Sequence, residues 1–408
     1  MKDILFLTTQ FPYPLDNGGK IGAFNGLSVI SKDNRVTVLS FSEDMSCFLE
    51  GKQYYEKILP NVTFVKPIKK DVHIRKKPLK LAKAIFMGTI TDMPYAVSKF
   101  RNNRMIRTID QIIKNRHWNL VFIDYLNMCE YGKYIRDYYK DSFDYYIFKD
   151  HNKEFELVEQ EAKKYFGIRK KILTADSKRT LKFEIKEIQA ADLVYSVCEE
   201  NTDFLRKYNH NSYSMLPTYE TNKFDESIRI FKNTYKILYI GGLSWQANLD
   251  GLKWFVEAVF PIVKKKIPQA SLTVVGGGLE CNPFEGESGV EYLGYVKDIS
   301  GIYDDKMVFI VPLFEGSGIR IKILDAFDNQ IPVVSTSIGC NTIGATNCEH
   351  LIVANDKYEF AEGVIRLLHD ENLNYEIRRS AKEFLISKFS LTKRQEEFEN
   401  EVQRLYDK

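Results

Sequence analysis

Short apolar runs recur along the chain and alternate with longer segments in which apolar residues return every three or four positions. "RVTVLSF", "LVFIDY", "YYIFKD" and "DLVYSV" lie in the first half, "SLTVVGGG", "MVFIVPL" and "IPVVSTS" in the second. Each is strand-length and rich in β-branched or aromatic residues, whereas the intervening segments have helical periodicity. This alternation is what parallel, doubly wound sheets require, and it predicts an α/β protein.

The two halves open alike. "ILFLTTQFPYPLDNGGKIGAFNGLSVI" passes from an apolar run through a Pro-rich loop to Gly18-Gly19 and then to an apolar-periodic helix. "YKILYIGGLSWQANLDGLKWFVEAVFPIV" repeats the scheme with Gly241-Gly242 and a helix on which Leu252, Val256, Val259 and Val263 share a face. Each reads as the strand, glycine turn and helix that start a βαβ unit. The polar, Pro-containing stretch at 216–233 is the expected boundary. The expected domains are 1–220 and 221–385, followed by a charged amphipathic helix over 386–408 that can return to the first. Two Rossmann-like domains with parallel sheets facing across a cleft would bind ligands at the C-terminal strand ends.

Length and charge narrow the classes. A chain of 408 residues is long enough for about two cores. Its 58 Lys and Arg nearly balance 55 Asp and Glu, so there is no global field favouring nucleic acid. Cys47, Cys129, Cys198, Cys281, Cys340 and Cys348 form no CxxC pair and have no His at metal-ligand spacing, which reads as reduced thiols in a cytoplasmic protein. The opening run "ILFL" follows Asp3 and reads as a strand rather than a secretory leader. No apolar segment approaches the ~18 residues that span a bilayer.

Candidate chemistry concentrates in "FEGSGIRIKILDAF", residues 314–327. A helix start carries unpaired N–H groups and partial positive charge, so Arg320 and Lys322 beside it predict an anionic guest such as phosphate. The N–H groups of Gly316, Ser317 and Gly318 would add donors, Arg320 a bidentate fork and Lys322 a point charge. The alternative is a solvated helix face with i, i+3 pairing. Gly18, Gly19 and Gly242 sit in turns that permit close ligand approach, although a Gly-Gly pair is also an ordinary turn. "DHNKEFE" places His151, with Asp150, Asn152 and Glu154, at a strand's C-terminal end. No Asp-x-Asp triplet ends a predicted strand, so no metal is expected.

The segment "PLFEGSGIRIKILDAFDNQIPVVST" resembles the donor-binding segment of retaining glycosyltransferases of the GT-B fold, family 4 (glycosyltransferase group 1). The resemblance extends to "GGLSWQANLDGLKWF", "VEYLGYVKDISGIYDD", "DHNKEFE" and "LIVANDKYEFAEGVIRLL". It implies a hexosyltransferase-like enzyme that moves a sugar with retention from a nucleoside diphosphate sugar to a glycan or lipid-linked acceptor, without cofactor or metal, in cell-surface polysaccharide biosynthesis. Carried over by motif, Glu315 and Asp325 become the family's acidic pair, with nine residues between them and Asp at the second position. Glu315 would hold sugar hydroxyls, Asp325 the ribose, and His151 a hydroxyl of the transferred sugar. The glycine loop at Gly18-Gly19 would lie over the diphosphate. A nucleotide-sugar epimerase on the same fold, or a non-catalytic sugar-nucleotide-binding scaffold, remains the alternative. The basic, apolar-interleaved stretch at 66–88 reads either as peripheral contact with the inner face of a membrane or as a solvated helix and loop.

Overall fold

The computed structural model describes residues 1–15, 17–70, 92–220, 224–225, 234–316 and 318–407. The chain forms two compact units. The first comprises Met1–Thr218 with Leu391–Lys408, and the second comprises Tyr219–Ser390.

In the first unit the strands are β1 (Asp3–Thr8), β2 (Arg35–Ser42), β3 (Val62–Phe64), β4 (Ile68–Lys69), β5 (Trp118–Asp124), β6 (Phe143–Asp150), β7 (Leu193–Ser196) and β8 (Ser212–Ser214). They form one parallel sheet in the order β3-β2-β1-β5-β6-β7-β8, with β4 beside the far end of β2. Successive side chains point to opposite faces of a strand, so an unbroken apolar run feeds two cores. Leu5, Leu7, Val121 and Ile123 enter one core, while Ile4, Phe6, Leu120 and Phe122 enter the other. The helix Leu391–Tyr406 adds Phe398, Val402 and Leu405 to this second core.

The second sheet contains β9 (Lys236–Ile240), β10 (Ser271–Val275), β11 (Val290–Gly294), β12 (Val308–Val311), β13 (Val333–Ser335) and β14 (Ile352–Val353). It is parallel, in the order β11-β10-β9-β12-β13-β14. The strand order reverses beside β1 and again beside β9, and at such points the loops diverge and open a crevice. Leu252, Val256, Val259 and Val263 are all buried. Their helix contains a π turn at Phe255–Val259 just before Pro261, where the missing N–H breaks the ordinary ladder.

Three local features differ from the sequence reading. Gly18 and Gly19 lie inside the first turn of the helix Gly18–Ile30, which Asn17 caps by accepting from the Lys20 N–H. The helix after the Gly-Ser-Gly turn starts at Ile321, so Arg320 is its cap residue. In the second half, the glycine turn is followed by a helix only from Gln246. Of the basic stretch at 66–88, residues 71–88 lie outside the described residues.

Candidate active site

In the second unit the C-terminal ends of β9 and β12 present two loops. The loop after β12 carries Glu315 and Gly316, both exposed. Ser317 lies outside the described residues. Gly316 and Gly318 have φ of +123° and +81°, a region that L side chains avoid. A Cβ on Gly316 would lie 2.4 Å from Arg320 Nη2 and 2.7 Å from the Trp245 ring, so only glycine lets the loop lie against the guanidinium. The Thr342 hydroxyl pins the same loop by donating to the Gly318 carbonyl at 2.9 Å.

Arg320 is 9% exposed, its guanidinium carbon 5.5 Å from the Trp245 ring. Lys322 lies a step further in. Its ammonium donates to Asn248 Oδ1 at 3.0 Å and sits 4.8 Å from the Tyr239 ring. A Cβ on Gly241 would approach that ammonium to 2.6 Å, which explains the glycine there, whereas one on Gly242 would meet open space. Asn248 is itself oriented by donating from Nδ2 to the Gly242 carbonyl at 2.9 Å. Burial, and then the neighbouring Arg320, push Lys322 down to about 7. Burial also lowers Arg320. Two cations therefore sit side by side, Lys322 held by a neutral amide and, among the described residues, by no carboxylate.

Asp325 follows one turn after Lys322. The Tyr219 hydroxyl donates to its Oδ1 at 2.6 Å. Burial raises Asp325 to about 6, with Asp328 adding to the shift and Tyr219 opposing it. Arg320, Gly242 and Gly316 thus lie on adjoining loops, with Lys322 and Asp325 on the helix that Arg320 caps. Asn248, Trp245, Tyr239 and Tyr219 complete the arrangement and were not singled out from the sequence. Asn248 carried the one usable signal, being a poor helix former placed early on an apolar-periodic helix.

The first unit holds a separate cluster where β1, β5 and β6 end. Asp124 is fully buried and accepts from the Thr8 hydroxyl at 2.8 Å. The Lys149 ammonium is 3.3 Å from its Oδ1, and His151 Nε2 is 2.7 Å from the same oxygen. Burial alone would raise Asp124, but Lys149, His151 and Thr8 together hold it at about 2. Burial lowers His151, and Lys149 adds to this against the pull of Asp124. An ionised carboxylate can only accept, so Nε2 carries the proton of a neutral ring and Nδ1 is left as an acceptor.

The ring is clamped from two sides. Tyr125 stacks on it with centroids 3.5 Å apart, and the Tyr125 hydroxyl donates to the Gly19 carbonyl at 2.9 Å. Tyr125 has φ of +80°, a strained conformation of the kind found at ligand sites. A Cβ on Gly22 would come within 2.7 Å of His151 Cε1, and one on Gly19 within 2.9 Å of Gln10. A Cβ on Gly18 would meet nothing. Asp150 faces the other way, against Glu184. Burial pushes it up to about 7 and raises Glu184 as well. Sequence reasoning found His151 but none of Asp124, Tyr125 and Lys149, whose roles depend on strands distant in the chain.

Comparison with known proteins adds to this geometry. Residues 234–370 match the sequence family described as "Glycosyl transferases group 1". The sucrose-phosphate synthase of Thermosynechococcus elongatus superposes with a TM-score of 0.67 at 14% identity, covering 100% of both chains. The fold is GT-B. A second GT-B structure, Anabaena HepE in complex with UDP and glucose, has a TM-score of 0.63 at 13% identity and covers 99% of this chain and 100% of its own. By sequence, an "Uncharacterized 44.6 kDa protein in cps region" of Klebsiella pneumoniae is 24% identical over 385 residues, 90% of each chain. The cationic loops thus lie within the segment that matches this family, in a chain of the GT-B fold.

Proposed function

We propose that the protein is a glycosyltransferase that moves a sugar, with retention at the anomeric carbon, from a nucleoside diphosphate sugar to an acceptor hydroxyl in polysaccharide biosynthesis. The observation that carries this reading is Lys322, a desolvated ammonium beside Arg320 held by an amide oxygen at 3.0 Å. The Lys322 ammonium, which meets no carboxylate among the described residues, is electrostatically incomplete until an anion enters, and a diphosphate supplies it. HepE, with UDP and glucose bound, shares the fold, and the Klebsiella relative belongs to a cps region.

In this reading Arg320, Lys322 and the backbone donors of Gly316 and Gly318 neutralise the diphosphate as the glycosidic bond breaks. Asp325 accepts from the ribose and Glu315 from sugar hydroxyls; in the first unit, His151 Nδ1 is an acceptor suited to a sugar hydroxyl. Gly242 keeps backbone close to the donor. The departing phosphate oxygen takes the acceptor proton as the acceptor oxygen bonds to the anomeric carbon on the face the leaving group vacates. No protein nucleophile is required.

NMR of the purified protein with nucleotide sugars and oligosaccharide acceptors tests this. Acceptor-dependent release of nucleoside diphosphate, with the donor's anomeric configuration kept in the product, is expected. Inverted product, or epimerised donor without transfer, would overturn it.

A further inference from the structure

The helices Glu154–Lys163 and Gly167–Ala190 pack as a hairpin whose turn carries apolar side chains that no core covers. Phe166 is 88% exposed, Ile168 74% and Ile172 42%. Single exposed apolar residues are ordinary, but three at the tip of one hairpin form a patch that calls for a partner. The charge around it has one sign. "KKYFGIRKKI", residues 163–172, contains Lys163, Lys164, Arg169, Lys170 and Lys171 and no acid. The nearest acids lie in the preceding turn: Glu159 is 3.5 Å from the Lys163 ammonium, and Glu161 accepts from the Tyr165 hydroxyl at 3.2 Å. The Arg169 guanidinium stacks 3.6 Å over the Tyr165 ring, and Lys170 and Lys171 are exposed.

We propose that this tip docks the protein on an anionic lipid surface. Phe166, Ile168 and Ile172 enter the boundary between headgroups and acyl chains, while Lys170, Lys171 and their basic neighbours meet lipid phosphates. A hairpin turn offers no groove to a partner's side chains, whereas a fluid interface accepts apolar groups ringed by cations. Charge of one sign without interspersed acids is complementary to anionic headgroups. The contact is interfacial, since no helix among the described residues is long and apolar enough to cross a membrane.

The position has a consequence for chemistry. The helix Glu154–Lys163 begins three residues after His151 and has 10 residues, about 15 Å at 1.5 Å per residue. Docking therefore keeps the His151 strand end within a few helical turns of the headgroups, where a lipid-linked acceptor presents its sugar. That acceptor class rests on the glycosyltransferase reading, but the docking itself does not.

Flotation of the full chain with vesicles of phosphatidylcholine alone, or mixed with phosphatidylglycerol, is the test. The protein should float only with the anionic vesicles. Each cation near such a surface strengthens binding roughly fivefold, so the double variant Lys170→Glu/Lys171→Glu should lose at least roughly 25-fold in partitioning. Phe166→Ser/Ile168→Ser should abolish flotation, and Phe166→Trp should give blue-shifted emission on anionic vesicles. These side chains are exposed, so thermal melts and donor binding without vesicles should match the parent, which separates failure of docking from failure of the transferase reading. No flotation of the parent, or equal flotation of the variants, would overturn the proposal. So would loss of self-association in Phe166→Ser/Ile168→Ser with flotation intact, which would assign the patch to a second copy of the chain.

Discussion

Lys322 is the residue on which the proposed donor site turns. Burial and Arg320 hold its ammonium at about 7, far below the 10.5 of an exposed lysine. Between those two values the unfolded chain binds more protons than the folded one, so this group makes stability rise with pH across that window. A bound diphosphate favours the charged form and raises the folded value again. Binding at pH 8 should therefore take up a proton. Calorimetry in two buffers of different ionisation enthalpy should show that uptake in the parent and its loss in Lys322→Arg, whose guanidinium stays charged throughout. Equal binding heats in both buffers for the parent would mean that the ammonium is not where the anion binds.

The helix Gly18–Ile30 shows how one element serves both packing and site. Gly19, Gly22 and Gly26 repeat at three and four residues and so line one face, over Gln10 and Tyr125, His151, and Lys149 in turn. Gly22→Ala forces a methyl against the clamped His151 ring and should destabilise the protein by about 1–3 kcal/mol. Gly18→Ala, in open space, should stabilise it by about 0.5–1 kcal/mol through helix propensity. Denaturant melts of the two variants read the contrast, and destabilisation of similar size in both would contradict this packing. Periodicity located the helix, but two adjacent glycines looked like a turn, because nothing local tells a helical glycine required by a distant ring from one required by φ. Among strands, the buried central ones stood out as apolar runs. The short strands β3, β4, β8, β11 and β14 did not, being too brief or too polar for a periodic signal.

At the scale of the whole molecule, the recurring strand, turn and helix made two parallel-sheet units legible, and GT-B is the fold found. The candidate site was legible only where its residues cluster in sequence, as with Gly316, Gly318, Arg320 and Lys322. Partners separated by long stretches were invisible. Asn248 meets Lys322 across 74 positions, Tyr219 meets Asp325 across 106, and Asp124 meets His151 across 27. Only the folded sheets bring them together, and a lone Asn or Tyr carries no mark of its role. The central claim is that the second unit's cationic loops bind a diphosphate. The most direct test is calorimetric titration of the parent, Arg320→Ala and Lys322→Ala with UDP, GDP and ADP and with the matching nucleosides. One charge-assisted hydrogen bond is worth about 1.5–3 kcal/mol, so each substitution should weaken the preferred diphosphate by about tenfold or more and leave its nucleoside nearly unaffected. Equal losses for diphosphate and nucleoside, or no loss for either, would contradict the account.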